Sequence, residues 1–183
     1  LRHVQTGGEE LPVELCREIV REHELSLANM YGPTEAAVET TAWFCQPGDQ
    51  PDYIPIGRPI GNVQTYILDA HGQPLPPGIA GELFIAGRGL ARGYLNAPEQ
   101  TAERFVEIAI PGRTVQRMYR TGDLCRWRHD GNIEFLGRLD QQVKLRGYRI
   151  ELAEVEHALT ASESVDDAAV LVHTNAAREA QLV

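Results

Sequence analysis

The sequence predicts an α/β protein built in two parts. A strand-and-helix segment leads into a β-rich lobe at about residues 54–136, and the first part ends at residue 139. A smaller α+β domain begins at Asp140. Three observations predict this. Apolar residues recur at helical spacing near the start, short β-branched and aromatic runs separated by Gly, Pro, Asn and Asp fill the middle, and helical periodicity returns after residue 150.

Taken in order, residues 1–11 carry the turn Thr6-Gly7-Gly8-Glu9-Glu10, and Pro12 opens a helix, as proline can at a first helical position. Leu11, Leu15 and Ile19 at four-residue steps predict its buried stripe, with Glu14, Arg17, Glu18 and Arg21 turned to water. A strand from Leu25 to Met30 runs into a turn at Gly32-Pro33, residues 36–41 continue it, and residues 46–51 break it with loop chemistry. The runs 63–68, 81–86, 124–128 and 133–136 predict strands of a small distorted barrel, interrupted by one helix at 98–105. Beyond Asp140, residues 142–148 predict a strand or hairpin, and Leu152, Val155 and Leu159 an amphipathic helix from 151 to about 161. Residues 168–172 read as a buried strand, in a second domain expected to be cut short.

Composition narrows the function. The chain has 183 residues, 43% of them hydrophobic and 23% charged, with a net charge of −9. That acidity argues against a nucleic-acid partner, which would need clustered Lys and Arg. No apolar run reaches the roughly 20 residues of a membrane helix, so no membrane partner is expected. Cys16, Cys45 and Cys125 are odd in number and widely spaced, which supports neither a disulfide framework nor a zinc site and points to a reducing cytoplasm.

Chemistry concentrates in three stretches. In Tyr31-Gly32-Pro33-Thr34-Glu35, a strand entering Gly-Pro exposes backbone N–H groups and the Thr34 hydroxyl, which can meet a phosphate oxygen. Glu35 beside it can ligate a hard cation such as magnesium. The same residues also suit a turn in which Thr34 caps the segment after it. In Tyr119-Arg120-Thr121-Gly122-Asp123, the carboxylate after the glycine turn can accept hydrogen bonds from a ribose diol, or simply be solvated. Arg138 and Asp140 flank Leu139 where a short polar linker suits a hinge, or an ordinary surface ion pair.

Four stretches, residues 29–36, 81–94, 119–124 and 137–156, resemble in their order four core motifs of the adenylation domains of nonribosomal peptide synthetases. These belong to the adenylate-forming superfamily, together with acyl-CoA synthetases and luciferases. The resemblance implies the end of a large N-terminal domain, part α/β sheet and part distorted barrel, followed by the start of the small C-terminal domain. It implies ATP and Mg2+ as cofactors, an amino acid as substrate, and a carrier domain bearing phosphopantetheine, with neighbouring synthetase modules, as partners. Asn29 would meet the adenine amino group, Tyr31 would stack on the base, Gly32 and Thr34 would face the α-phosphate, and Glu35 would hold magnesium. Thr34 and Glu35 would thus serve catalysis. Asp123 would bind the ribose, Arg138 would lie near ribose and phosphate, and Phe135 stands where the family often has tyrosine. Gln5, Gly7, Met30, Val38 and Glu39 would line the amino-acid pocket, Gly7 leaving depth and Glu39 favouring a polar or basic substrate unless it points to solvent. Asp140 would be the hinge, and Lys144 would ride on a strand brought to the site in the second half-reaction.

Two features of such domains, a Ser/Thr/Gly-rich phosphate loop and an aspartate for the substrate amino group, are expected upstream of Leu1. A carboxylate-neutralising lysine is expected downstream of Val183. The piece alone is therefore expected to be inactive. A related acyl-CoA or aryl-acid ligase, and a noncatalytic nucleotide- or carrier-binding remnant, stay open as alternatives.

Overall fold

A computed structural model describes every residue except 50, 146, 163 and 176–179. The chain forms two compact units, Leu1–Leu139 and Asp140–Val183.

The first unit opens with β1 (His3–Gly7), α1 (Val13–Glu22) and β2 (Ser26–Tyr31), and β1 pairs with β2 in parallel, from His3↔Ser26 to Gly7↔Met30. A parallel pair needs a crossover of this kind. Pro12 stands just before the helix in extended backbone. Cys16 and Val20 face the sheet and pack with Leu11, Leu27 and Cys45, whereas Leu15 is 44% exposed. Leu11 and Ile19 of the expected stripe pack in this cluster, so only Leu15 departs from it. Leu11 precedes the helix and does not set its rotation, and the small buried Cys16 counts as a hydrophobe.

After β2 the chain makes a 3₁₀ turn at Thr34–Ala36 and returns as β3 (Thr41–Cys45), antiparallel to β2 from Leu27↔Cys45 to Tyr31↔Thr41. Residues 36–41 therefore do not extend β2. Ala37 and Val38 are both left-handed, and the Thr40 N–H and hydroxyl both donate to the Tyr31 carbonyl, at 2.8 and 3.0 Å, closing the reversal. β4 (Arg58–Pro59) completes the order β1-β2-β3-β4.

The β-rich lobe is a five-stranded antiparallel sheet. Its strands are β5 (Val63–Leu68), β6 (Ala80–Gly87), β7 (Phe105–Ile108), β8 (Gln116–Trp127) and β9 (Ile133–Arg138). The helix α2 (Pro98–Arg104) leads into β7. The twelve-residue β8 pairs with β6 on one side, while its first part pairs with β7 and its last part with β9. Both faces of β6 are buried. Leu83 and Ile85 join Tyr31, Ala36, Ile56, Ile67, Cys125 and Ile133, whereas Phe84 and Ala86 join Leu68, Ile110 and Met118. Alternation along a strand sends neighbours to opposite faces, and each large side chain so buried contributes about 1.5–3 kcal/mol.

The second unit begins with the antiparallel hairpin β10 (Gln142–Leu145) and β11 (Tyr148–Glu151), followed by α3 (Leu152–Thr160). Leu152 is buried but Leu159 is 47% exposed, so the expected apolar stripe is covered only at its start. β12 (Val172–Thr174) pairs antiparallel with β13 (Ala180–Leu182). The strand expected at 168–172 therefore lies further on. Leu171 meets Val183 through two backbone bonds of 2.9 Å, and that pairing sets where β12 starts.

Candidate active site

The turn at Thr34–Ala36 exists because the backbone doubles back. Pro33 O accepts from the N–H of Ala36 and of Val38, each at 3.0 Å. A Cβ on Gly32 would lie 2.5 Å from the Val38 carbonyl oxygen, so only glycine permits this approach. Val38, 61% exposed, holds φ 70, an uncommon conformation for a β-branched residue. The turn leaves Thr34 exposed and tucks Glu35 inside. The Glu35 carboxylate accepts a hydrogen bond from Tyr94 Oη at 2.7 Å, and its carbonyl accepts one from the Ala91 N–H at 2.8 Å. Burial, then the bond to Glu35, pushes the Tyr94 phenol far up, so it stays a donor. One buried carboxylate fits a magnesium ion that keeps water and phosphate oxygens as its other ligands. Among the described residues no cluster of three or more His, Cys, Asp or Glu could cage a metal alone.

Asp123 is placed by an irregularity in β8. Glu82 of β6 faces Leu124 and Phe84 faces Arg120, so Thr121, Gly122 and Asp123 bulge opposite Leu83. Asp123 thus lies inside a long strand rather than at the start of one. Gly122 takes φ 74 there, which glycine alone adopts cheaply. The Thr121 hydroxyl donates to Leu83 O at 2.7 Å and accepts from the Asp123 N–H at 3.0 Å. Glu82 braces the bulge, accepting from the Gly122 N–H at 3.1 Å and pairing with Arg120 at 2.9 Å.

The buried Asp123 carboxylate is gripped from both sides. Tyr31 Oη donates to one oxygen, and Arg138 Nη1, opposite on β9, donates to the other at 2.7 Å. Burial first, then the Asp123 charge, raises the Tyr31 phenol well above its ordinary value. Each carboxylate oxygen keeps a second lone pair, enough for two neighbouring hydroxyls. Asn29 is buried and donates its amide to Pro55 O at 2.8 Å, which directs its carbonyl end elsewhere. Phe135, half-buried on β9, packs against the core cluster that holds Tyr31 and Ala36.

Of the residues predicted for the amino-acid pocket, Gln5, Gly7, Met30 and Glu39 are linked at β1. Gly7 is paired with Met30, and Gln5 donates its amide to the Glu39 carboxylate. A Cβ on Gly7 would lie 2.6 Å from Met30 O, so close backbone approach by itself requires a glycine here. In the second unit, Asp140 accepts from the Gln142 N–H at 3.2 Å, and Lys144 is exposed on β10 opposite Arg149.

Sequence reasoning assigned no role to Tyr94, Glu82, Thr121 or Arg117. The available signal was that Glu82 and Tyr94 lie within the stretch 81–94 and Thr121 within 119–124, but their partners are far away in sequence.

With this geometry in place, comparison with known proteins decides the family. The family described as AMP-binding enzyme matches residues 1–95. The chain belongs to the AMP-binding enzyme family. That match ends directly after Tyr94 and so includes both Glu35 and its phenol partner. Over 96% of its length this AMP-binding enzyme segment is 51% identical to a plipastatin synthase of Bacillus subtilis (strain 168), of which it covers 5%. It is also 51% identical, over 93% of its length, to tyrocidine synthase 3 of Brevibacillus parabrevis, of which it covers 3%. It is similar throughout to a solved nonribosomal peptide synthetase protein containing adenylation and PCP domains, with a TM-score of 0.89, 40% identity and 32% of that chain covered. An adenylation domain of Vibrio cholerae, solved with glycyl-adenosine-5′-phosphate, gives a TM-score of 0.84 at 28% identity, covering 98% of this chain and 34% of that one. The chain therefore spans a few per cent of the synthases and about a third of the solved proteins.

Proposed function

We propose that this chain is the nucleotide-facing part of an amino-acid-activating adenylation domain in a nonribosomal peptide synthetase. The parent domain would join an amino acid to ATP, releasing pyrophosphate, and pass the aminoacyl group to the phosphopantetheine thiol of a carrier domain. The observation that carries this reading is the pair of buried carboxylates, Glu35 and Asp123, each held by a tyrosine hydroxyl.

Asp123 accepts the ribose hydroxyls while Tyr31 and Arg138 hold it still, and Tyr31 would also stack on the base. The fixed amide of Asn29 directs its oxygen to the adenine amino group, with Phe135 as a neighbouring face. Thr34, exposed beside Gly32, donates to the α-phosphate. A magnesium ion at Glu35 would supply charge against the phosphates as the substrate carboxylate attacks. Such chemistry needs positioning and charge neutralisation rather than a protein nucleophile, which agrees with three buried cysteines whose thiols take no part. Gln5, Gly7, Met30, Val38 and Glu39 border the amino-acid side chain, and the Gln5–Glu39 pair favours a polar or basic one. Asp140 is the hinge, Lys144 belongs to the strand used in thiol transfer, and the protein works in the cytoplasm.

The test is ATP–pyrophosphate exchange by the complete adenylation domain carrying these residues. Exchange is expected with an amino acid, lost in Asp123→Ala, and undetectable with the 183 residues alone. Exchange driven by aryl or fatty acids but by no amino acid would replace this reading with that of a related ligase.

A further inference from the structure

The carboxylate that the proposed function assigns to magnesium is held from outside its own turn. Residues 88–95 leave β6 and lie across the turn at Thr34–Ala36. A Cβ on Gly89 would stand 3.4 Å from the Ala37 Cβ. The strap makes two bonds to one residue: the Ala91 N–H meets Glu35 O at 2.8 Å, and Tyr94 Oη meets Glu35 Oε1 at 2.7 Å.

The strap is itself anchored. Arg117 donates from Nη1 to Ala91 O and from Nη2 to Arg92 O, both at 2.8 Å, so one rigid fork holds two consecutive carbonyls. The same guanidinium lies 4.5 Å over the Phe105 ring, and Phe105 meets the edge of Tyr94 at 5.8 Å. Thr101 accepts from the Tyr94 N–H at 2.9 Å, fixing that residue's backbone. Ring packing alone needs only a phenylalanine at this position. The hydroxyl is the one atom of Tyr94 that packing does not explain, and it meets the Glu35 carboxylate, with Tyr119 as a further neighbour.

We propose that Tyr94 is a positioning residue for the divalent cation: its hydroxyl fixes the Glu35 carboxylate so that the remaining ligand capacity faces the metal, and Arg117 locks the strap that carries it. This rests on the reading of Glu35 as a metal ligand. Outer partners of metal ligands orient them, and losing one lowers metal affinity by about 10–100-fold.

The experiment titrates Mn2+ with α,β-methylene-ATP onto the complete adenylation domain, reading free Mn2+ by electron paramagnetic resonance, for wild type, Tyr94→Phe, Glu35→Gln and the double variant. Tyr94→Phe is expected to weaken Mn2+ binding by about 10-fold while metal-free nucleotide binding holds. On the Glu35→Gln background the same change should add less than about 2-fold, because the two residues act as one unit. Arg117→Lys, which cannot hold both carbonyls, should weaken Mn2+ in the same direction and gives a second reading should Tyr94→Phe not fold. Unchanged Mn2+ affinity in Tyr94→Phe with a loss in Glu35→Gln overturns the role of Tyr94 alone. Equal losses on both backgrounds reduce Tyr94 to packing, and unchanged affinity in Glu35→Gln overturns the metal reading itself.

Discussion

Removing Arg138 should expose how much of the first unit depends on the grip around Asp123. In Arg138→Met the carboxylate would lose its ion pair at 2.7 Å, and Thr121 O would lose a hydrogen bond at 3.0 Å. The side chains of Arg138 and Asp123 are only 18% and 8% exposed, so water does not readily replace the lost partner. Breaking a buried pair from one side costs about 3–5 kcal/mol. Tyr31 would still donate to Asp123, which lowers the expected loss to about 2–4 kcal/mol. With a urea slope of about 2 kcal/mol per molar, the unfolding midpoint should fall by about 1–2 M. Tryptophan fluorescence reads this unit alone, because Trp43 and Trp127, the two tryptophans of the chain, both lie in it. The triple variant Tyr31→Phe, Asp123→Leu, Arg138→Met removes donor, charge and partner together and should recover to within about 1 kcal/mol of wild type. A loss below about 0.5 kcal/mol in Arg138→Met would show that the pair behaves as a solvated surface bridge and would refute the reasoning.

Other outcomes rest on the same physics. Gly32→Ala should destabilise by about 1–3 kcal/mol through its clash with the Val38 carbonyl, whereas Gly61→Ala, with nothing within 4 Å of its Cβ, should change the denaturation midpoint little. Arg126 first, and then Arg128, hold the Glu134 carboxyl below its ordinary value of 4.5, so the stability it adds is present above that value and is lost as pH falls toward the depressed one. The stability difference between wild type and Glu134→Gln, measured by denaturant titration from neutral to acid pH, should shrink accordingly. Burial pushes the Cys45 thiol up to about 12 and raises Cys16 and Cys125 as well, so a thiol reagent at about pH 8 should count no reactive cysteine in the native chain and three after denaturation.

The α/β class was legible because its signals are local. Strand β5 occupies the run 63–68 foreseen from its composition, and the start of β9 coincides with Ile133, the first apolar residue after Asn132. What escaped depends on distance in sequence. Nothing around Leu15 tells that Cys16 and Val20 will meet Leu27 and Cys45 while Leu15 stays exposed; that choice is made by the sheet. Likewise β8 looks like two pieces because Gly122 interrupts it, yet its pairing with β6 on both sides of the bulge makes it one strand.

The site divides along the same line. A carboxylate after a glycine can be noticed in isolation, but Asp123 gains its character from Tyr31, which is 92 residues away, and from Arg138, which only strand pairing brings opposite. Glu35 likewise could be named from its own heptapeptide, whereas Tyr94 stands 59 residues on and shows no local sign of its partner. Composition suggests groups that could bind phosphate, ribose and metal; which of them are held rigidly is decided by contacts between strands. A buried carboxylate without a donor is costly. Glu35 and Asp123, both buried, therefore each require a second residue that donates to and orients the carboxylate. For that reason substitutions at Tyr31, Tyr94 and Arg138 should affect ligand binding even where the acids themselves remain.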